Sequence, residues 1–162
     1  MSELAGQIGL VRTRGPLGWL IRAVTRSPVN HVVVAVDEVL CIGAEKSGAR
    51  IRPMTHFGHI DWSSFALTDS ERSGIVAWCE GIEGSPYSWI DDVAIGLEQI
   101  MHERTPRWLL RRLSATKTLQ CAALADAAYV YGAGIQVFED RRYFGCVFPG
   151  SYVAVFKAKG WL

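Results

Sequence analysis

Two residues far apart in the chain have the chemistry of a nucleophilic site. Cys121 stands in the stretch from Lys117 to Gly134, KTLQCAALADAAYVYGAG. This reads as a loop passing into a long apolar helix, with Cys121 in the first turn, Thr118 or Gln120 as cap, and Gly132 and Gly134 as the end. A thiol there lies in the positive end of the helix dipole, which favours the nucleophilic thiolate. A cysteine nucleophile also needs a base, and a group that orients the base.

Of the four histidines, His31 is the candidate base. It stands at the mouth of the most apolar run of the chain, where a polar ring needs a partner or a purpose. The alternative is a half-exposed histidine at a strand end. Glu45 is the candidate orienting group. A tight hairpin about Asp37-Glu38 brings residue 45 near residue 30 or 31, with Glu45 and His31 on one sheet face. The alternative is a solvated turn carboxylate. Asn30, Gln120 and Tyr87 are the candidate substrate-binding residues.

The remaining reactive side chains read as structural. Cys41 lies within a strand, Cys79 within a helix and Cys146 in an aromatic stretch, as core thiols do. The four cysteines contain no CxxC pair, so neither a zinc ribbon nor a disulfide framework is indicated. His56 and His59 form an HxxH with no clear third ligand, so no metal and no cofactor are expected. His102 borders a basic segment and reads as surface.

The elements that must position these groups follow from periodicity. Gly6 to Thr13 reads as a short strand, broken by Arg14-Gly15-Pro16. Leu17 to Thr25 reads as a short helix, stopped by Ser27-Pro28. Asn30 to Val36, NHVVVAV, is apolar on both faces, the pattern of a central covered strand. Val39 to Glu45 returns as its hairpin partner. Ala49 to Met54 forms a third strand after the Lys46-Ser47-Gly48 turn. Thr55 to Ser64 reads as loop, and Phe65 to Leu67 as a short strand. Thr68 with Glu71 forms a capping box for a helix reaching about Glu80, burying Ile75, Val76 and Trp78 or Cys79. A further helix spans about Ile90 to His102. Tyr143 to Val147 reads as a strand, Phe148-Pro149-Gly150 as a turn, and Ser151 to Lys157 as a final strand.

Residues 103–117 concentrate Arg104, Arg107, Arg111, Arg112 and Lys117 around Trp108 and Leu113, an amphipathic pattern. It reads as a solvated helix face, with contact to an anionic membrane surface as the sharper alternative. A chain of 162 residues, 49% hydrophobic and 20% charged, has the size and composition of one globular domain. Its formal net charge of +1 does not argue for a nucleic-acid partner. No signal-peptide pattern and no apolar run of membrane-spanning length are present, so a cytoplasmic location is expected.

The order of these parts resembles the circularly permuted branch of the NlpC-type papain-like cysteine hydrolases, in particular the YiiX/YaeF-like amidases. The matching stretches are Gly6-Gln7-Ile8, then Ser27-Pro28-Val29-Asn30-His31-Val32, then Gly43-Ala44 ahead of Gly48-Ala49-Arg50-Ile51-Arg52. Gly84-Ser85-Pro86-Tyr87-Ser88, Cys121-Ala122-Ala123-Leu124 and Pro149-Gly150 follow in the family's order. The resemblance covers nearly the whole chain. It implies an α+β, papain-like fold in which an antiparallel sheet or small barrel packs against helices. The nucleophile would stand at a helix N-terminus. Residues 1–162 would form one such domain, with a basic insertion at about 103–117.

The resemblance also implies Cys121 as nucleophile and His31 as base. The family's acidic position falls on Gly43, and Glu45 on the same strand face is the substitute. Gln7 stands where the family has Asp, and Ala122 where it has Ser. The function implied is a cysteine amidase or peptidase acting on a small peptide, a cell-wall peptide or an N-acyl amino acid. The Cys121 amide is the expected oxyanion donor. Two alternatives share the scaffold. One is acyl transfer to or from lipid, with the basic segment facing a membrane. The other is a catalytically silent binding or structural module such as a phage particle component, which would be virion-associated.

Overall fold

The computed structural model describes residues 2–13, 22, 27–45, 47–85, 117–138, 147 and 149–162, with the backbone alone at 117–120. Five antiparallel strands form one sheet: β1 (Ile8–Val11), β2 (His31–Ala35), β3 (Leu40–Glu45), β4 (Gly48–Pro53) and β5 (Ile60–Trp62). They lie in the order β4-β3-β2-β1-β5. Three α-helices are described: α1 (Asp69–Gly81), α2 (Lys117–Ala133) and α3 (Pro149–Lys159). The architecture is α+β, as expected. The expected helices at 17–25 and 90–102, the strand at 143–147, the basic segment 103–117, Tyr87 and Cys146 lie outside the described residues.

The β-branched run at 31–35 takes the middle of the sheet, and every residue of β2 is buried. Its two faces lead to different surroundings. Val32 and Val34 face the helices, in a core with Ile8, Leu10, Ile42, Leu124, Tyr129 and Phe156. Val33 faces the other way, in a smaller cluster with Val11 and Cys41 under Met54, Phe57, Ile60 and Trp62. This is the alternation that successive side chains of a strand impose. The β2–β3 register sets Val33 opposite Gly43 and Val34 opposite Ile42, which extends to His31 opposite Glu45.

The start of β1 is braced by a buried polar network. Gln7 Nε2 donates to the Phe65 carbonyl at 2.9 Å, and Gln7 Oε1 accepts from Phe65 N at 3.0 Å and Ser63 Oγ at 2.7 Å. Ser63 Oγ accepts in turn from Ile8 N at 2.9 Å. A buried amide with three partners is a satisfied structural group. Gln7 therefore ties β1 to the segment that follows β5. Because Gln7 takes up the Phe65 backbone, residues 65–67 form no strand, contrary to the sequence expectation. The fifth strand is instead Ile60–Trp62, inside the stretch read as loop. Its Ile60-Asp61-Trp62 alternates, but three residues are too few to separate a strand from a loop by pattern.

The α1 capping box forms as expected. Glu71 N donates to Thr68 Oγ1, and Thr68 N donates to Glu71 at 2.7 Å. Ile75 and Cys79 are the buried residues of α1, while Val76 and Trp78 are partly covered. Gly134, at φ +69°, closes α2, and its amide reaches the Val130 carbonyl at 3.0 Å. The expected final strand at 151–157 is a helix. Pro149 begins α3, and Pro149, Tyr152 and Phe156 bury one helical stripe. Val153 and Val155 also pack on the core. The segment is therefore apolar on almost every side, and its tyrosine–alanine–phenylalanine alternation mimics a strand.

Helices α1 and α2 touch through glycine. A methyl group at Gly74 would lie 2.0 Å from the Gly132 carbonyl oxygen, and one at Gly132 would lie 2.7 Å from Ile75 Cα. Gly81, at the end of the same helix, has open space within 4 Å. Gly74→Ala is therefore expected to lower stability by about 2 kcal/mol through forced separation of the helices. Gly81→Ala is expected to leave stability unchanged or raise it by up to about 1 kcal/mol through helix propensity. Urea unfolding of the two variants measures both signs.

Candidate functional site

The site forms where β2 and β3 begin to part. The Val36 amide reaches the Leu40 carbonyl at 2.9 Å, so by alternation the Val34 and Val32 amides also point toward β3. The described pairing of β2 with β3 ends at Val33 opposite Gly43. One step further, the Val32 amide donates to Cys121 Sγ at 3.4 Å. Helix α2 thus pushes its thiol into the mouth of the central hairpin, against the peptide that joins His31 to Val32. Bond geometry then holds Cys121 Sγ within about 7 Å of His31 Cβ.

His31 starts β2 on the face that carries Val33. Its ring stacks on Phe57 at a centroid distance of 5.3 Å and an interplanar angle of 28°. On its other side it lies over Gly43. A methyl group at Gly43 would lie 3.0 Å from His31 Nε2 and 3.2 Å from Val33 Cγ1. Gly43 is therefore the seat of the imidazole, and even a small side chain there crowds the ring. Position 43, where the resemblance expects an acid, carries no carboxylate.

Glu45 stands opposite His31 in the extended register, on the same face. Its carboxylate receives both arms of Arg52, from Nε at 2.9 Å and Nη2 at 3.0 Å. This two-point geometry is the stronger form of an arginine–carboxylate pair. The structure thus places Glu45 beside the site with Arg52 as a partner that sequence reasoning missed. Arg52 shares a face with Cys41 through the β3–β4 register, but the diagonal reach to residue 45 is a side-chain matter. Phe57 was missed for the same reason, since it arrives from a loop segment.

Asn30 has a positioning role. Its Oδ1 accepts from Thr13 N at 2.9 Å, and its Nδ2 donates to Thr13 Oγ1. The side chain expected to meet substrate thus ties the start of β2 to the chain just after β1. Of Gln120 only the backbone is described, and it lies within α2. The helix begins at Lys117, so Thr118 and Gln120 are inside it and Cys121 is one turn in. Its amide bears on its own sulfur, as do those of Val32 and Ala122.

The expected depression of the thiol pKa is also corrected. Burial pushes Cys121 up to about 12, and the amides of Val32, Ala122 and Cys121 itself only partly oppose it. Cys41 is likewise raised to about 12 by burial, and Cys79 is raised further in the same direction. His59 pairs with Asp61 at 2.8 Å, and both are exposed. Among the described residues no group of three or more His, Cys, Asp or Glu could hold a metal ion. No helix among them is long and apolar enough to cross a membrane. No family model, curated protein or solved structure matches the chain.

The raised thiols have a consequence for alkaline stability. A free thiol titrates near 8.5, so above that pH the unfolded chain loses protons that the folded chain keeps. Stability then falls as pH rises from about 9 toward 12, by about 1.4 kcal/mol per pH unit for each such thiol. Cys121→Ala is expected to remove one proton's share of that slope. Urea unfolding free energies at about pH 8, 9 and 10, wild type against variant, measure it.

Proposed function

We propose that the chain is a cysteine hydrolase on a papain-like scaffold of the permuted NlpC type, cleaving an amide through a thioester. The observation that carries the reading is the contact of Cys121 Sγ with the amide that follows His31. Helix and central strand, distant in sequence, bring the one thiol and the one imidazole expected to react to the same hairpin mouth. The parallel with the family extends to Gly43, whose position faces His31 Nε2 as the orienting acid would.

In this reading His31 takes the thiol proton as Sγ bonds to the carbonyl carbon. The tetrahedral intermediate collapses, the C–N bond breaks, and His31 passes the proton to the departing amine. Water then attacks the thioester with His31 as base, which releases the acid and restores the thiol. Burial disfavours a resting thiolate, so proton transfer accompanies attack rather than preceding it. Phe57 and the Gly43 seat hold the ring in place of a side chain at position 43.

A second reading is a silent binding module on the same scaffold. It is favoured by the burial of the thiol and by glycine in the acidic position. Alkylation separates the two. Wild type and His31→Ala are treated with iodoacetamide between about pH 5 and about pH 10, and the Cys121 adduct is followed by peptide mass spectrometry. With His31 as base, the adduct forms at neutral pH, below the range in which the buried thiol itself ionises, and the rate levels off there. His31→Ala then slows it by about a hundredfold at neutral pH. A rate indifferent to His31 that climbs without a plateau into alkaline pH defeats the hydrolase reading and leaves the module.

A further inference from the structure

The sheet face that carries His31 carries more than Glu45. Across β2, β3 and β4 the side chains on this face fall in rows set by the register. Val33, Gly43 and Arg50 make one row, and Ala35, Cys41 and Arg52 the next. Arg52 leaves its own row and reaches back past Gly43 to Glu45. Gly43, without a side chain, lies under the imidazole, and the Arg52 guanidinium reaches Glu45 on the same sheet face. Two strand spacings, about 10 Å, separate the backbones of β2 and β4.

The Arg52–Glu45 pair is accessible, with 41% of the Arg52 side chain and 21% of the Glu45 side chain exposed. Such a pair exchanges partners at little cost, because water already screens it. Arg50 is the second cation. Its Nε lies 3.3 Å from Ser47 Oγ and its Nη2 3.4 Å from the Ser47 carbonyl. Among the described residues no carboxylate pairs with it. Glu83 adds a more distant negative charge that acts on Arg52.

We propose that Arg52, assisted by Arg50, is the recognition group for a carboxylate on the substrate, and that Glu45 fills that position as an internal stand-in when no substrate is bound. The substrate class is then an acyl amide with a free carboxylate a few bonds beyond the scissile bond, such as an N-acylated amino acid or short peptide acid. The bidentate fork that now grips Glu45 is the geometry that selects a planar carboxylate over its amide. An extended chain of two or three residues, at about 3.4 Å each, covers the two strand spacings between the His31 strand and that of Arg52. The proposal rests on the hydrolase reading of Cys121 and His31, because that reading locates the scissile bond.

The test measures binding with turnover removed. N-acetyl-alanyl-alanine and its C-terminal carboxamide are titrated into the Cys121→Ser protein by calorimetry. The acid is expected to bind about tenfold or more tightly than the amide. Adding Arg52→Gln is expected to abolish that difference while leaving the amide's affinity unchanged. Adding Glu45→Gln, which removes the competing charge but keeps the side-chain shape, is expected to tighten the acid alone. Equal affinities for acid and amide, no binding of either, or a preference that survives Arg52→Gln overturns the proposal. Circular dichroism reports whether Arg52→Gln folds. If it does not, the Glu45→Gln titration decides, and an unchanged acid affinity there counts against the proposal. A failure of the hydrolase reading shows separately, in the alkylation profile of the unsubstituted thiol.

Discussion

The structure turns on one turn of helix α2, where a sulfur takes the place of a sheet carbonyl. The Val32 amide, which strand alternation aims at β3, donates to Cys121 Sγ instead. The next residue, Ala122, offers its carbonyl to the Tyr152 hydroxyl at 3.1 Å, which anchors α3 to the same turn. Further along, Gly132 lets α1 approach to backbone contact. At the level of Tyr129 the helix is tied to the start of β1, through a 2.7 Å bond from the hydroxyl to the Gly6 carbonyl. Helix α2 is thus the common partner of the sheet and of both other described helices. Its depth in the sheet is set at the residue that carries the thiol.

The same geometry explains why the site lies at a strand end. Cys121 belongs to the helix side of the sheet, and the His31 ring to the opposite side, with Val33 and Gly43. Within a fully paired stretch the hydrogen-bond ladder would separate two such groups. Where β2 and β3 part, the thiol reaches the strand itself, and the two faces communicate around one peptide. The cost is burial. A thiol deep enough to replace a ladder acceptor is also deep enough to be held neutral, so packing and thiolate chemistry oppose each other at Cys121.

Features written in local patterns were legible in the chain. The β-branched run at 31–35 announced a central strand, because only a strand covered on both faces tolerates apolar residues at every position. Thr68 and Glu71 announced the start of α1, since the capping box is made within four consecutive residues. The turn placed residue 45 near residue 30 or 31, but the register itself, Val33 opposite Gly43, came only with the folded hairpin. Ile60–Trp62 and Pro149–Lys159 were not legible. A three-residue strand has no period, and a helix whose apolar residues run past its one buried stripe shows no clear polar face to reveal one. The seat of the imidazole was half legible. Glycine at position 43 was visible, but the His31 ring resting on it depended on Phe57 arriving from another segment.

The sequence by itself therefore determined which residues could react and which local elements carry them. These depend on side-chain chemistry and on neighbours a few positions away. The tertiary structure decided their state. A helix start predicts an acidified thiol from its dipole, whereas the surroundings that pack around Cys121 push the same thiol up to about 12. A strand-end carboxylate predicts an orienting group, whereas a guanidinium from the next strand claims Glu45 at 2.9 Å. Desolvation and cross-strand pairing are sums over groups distant in sequence, and they exist only once the chain has folded.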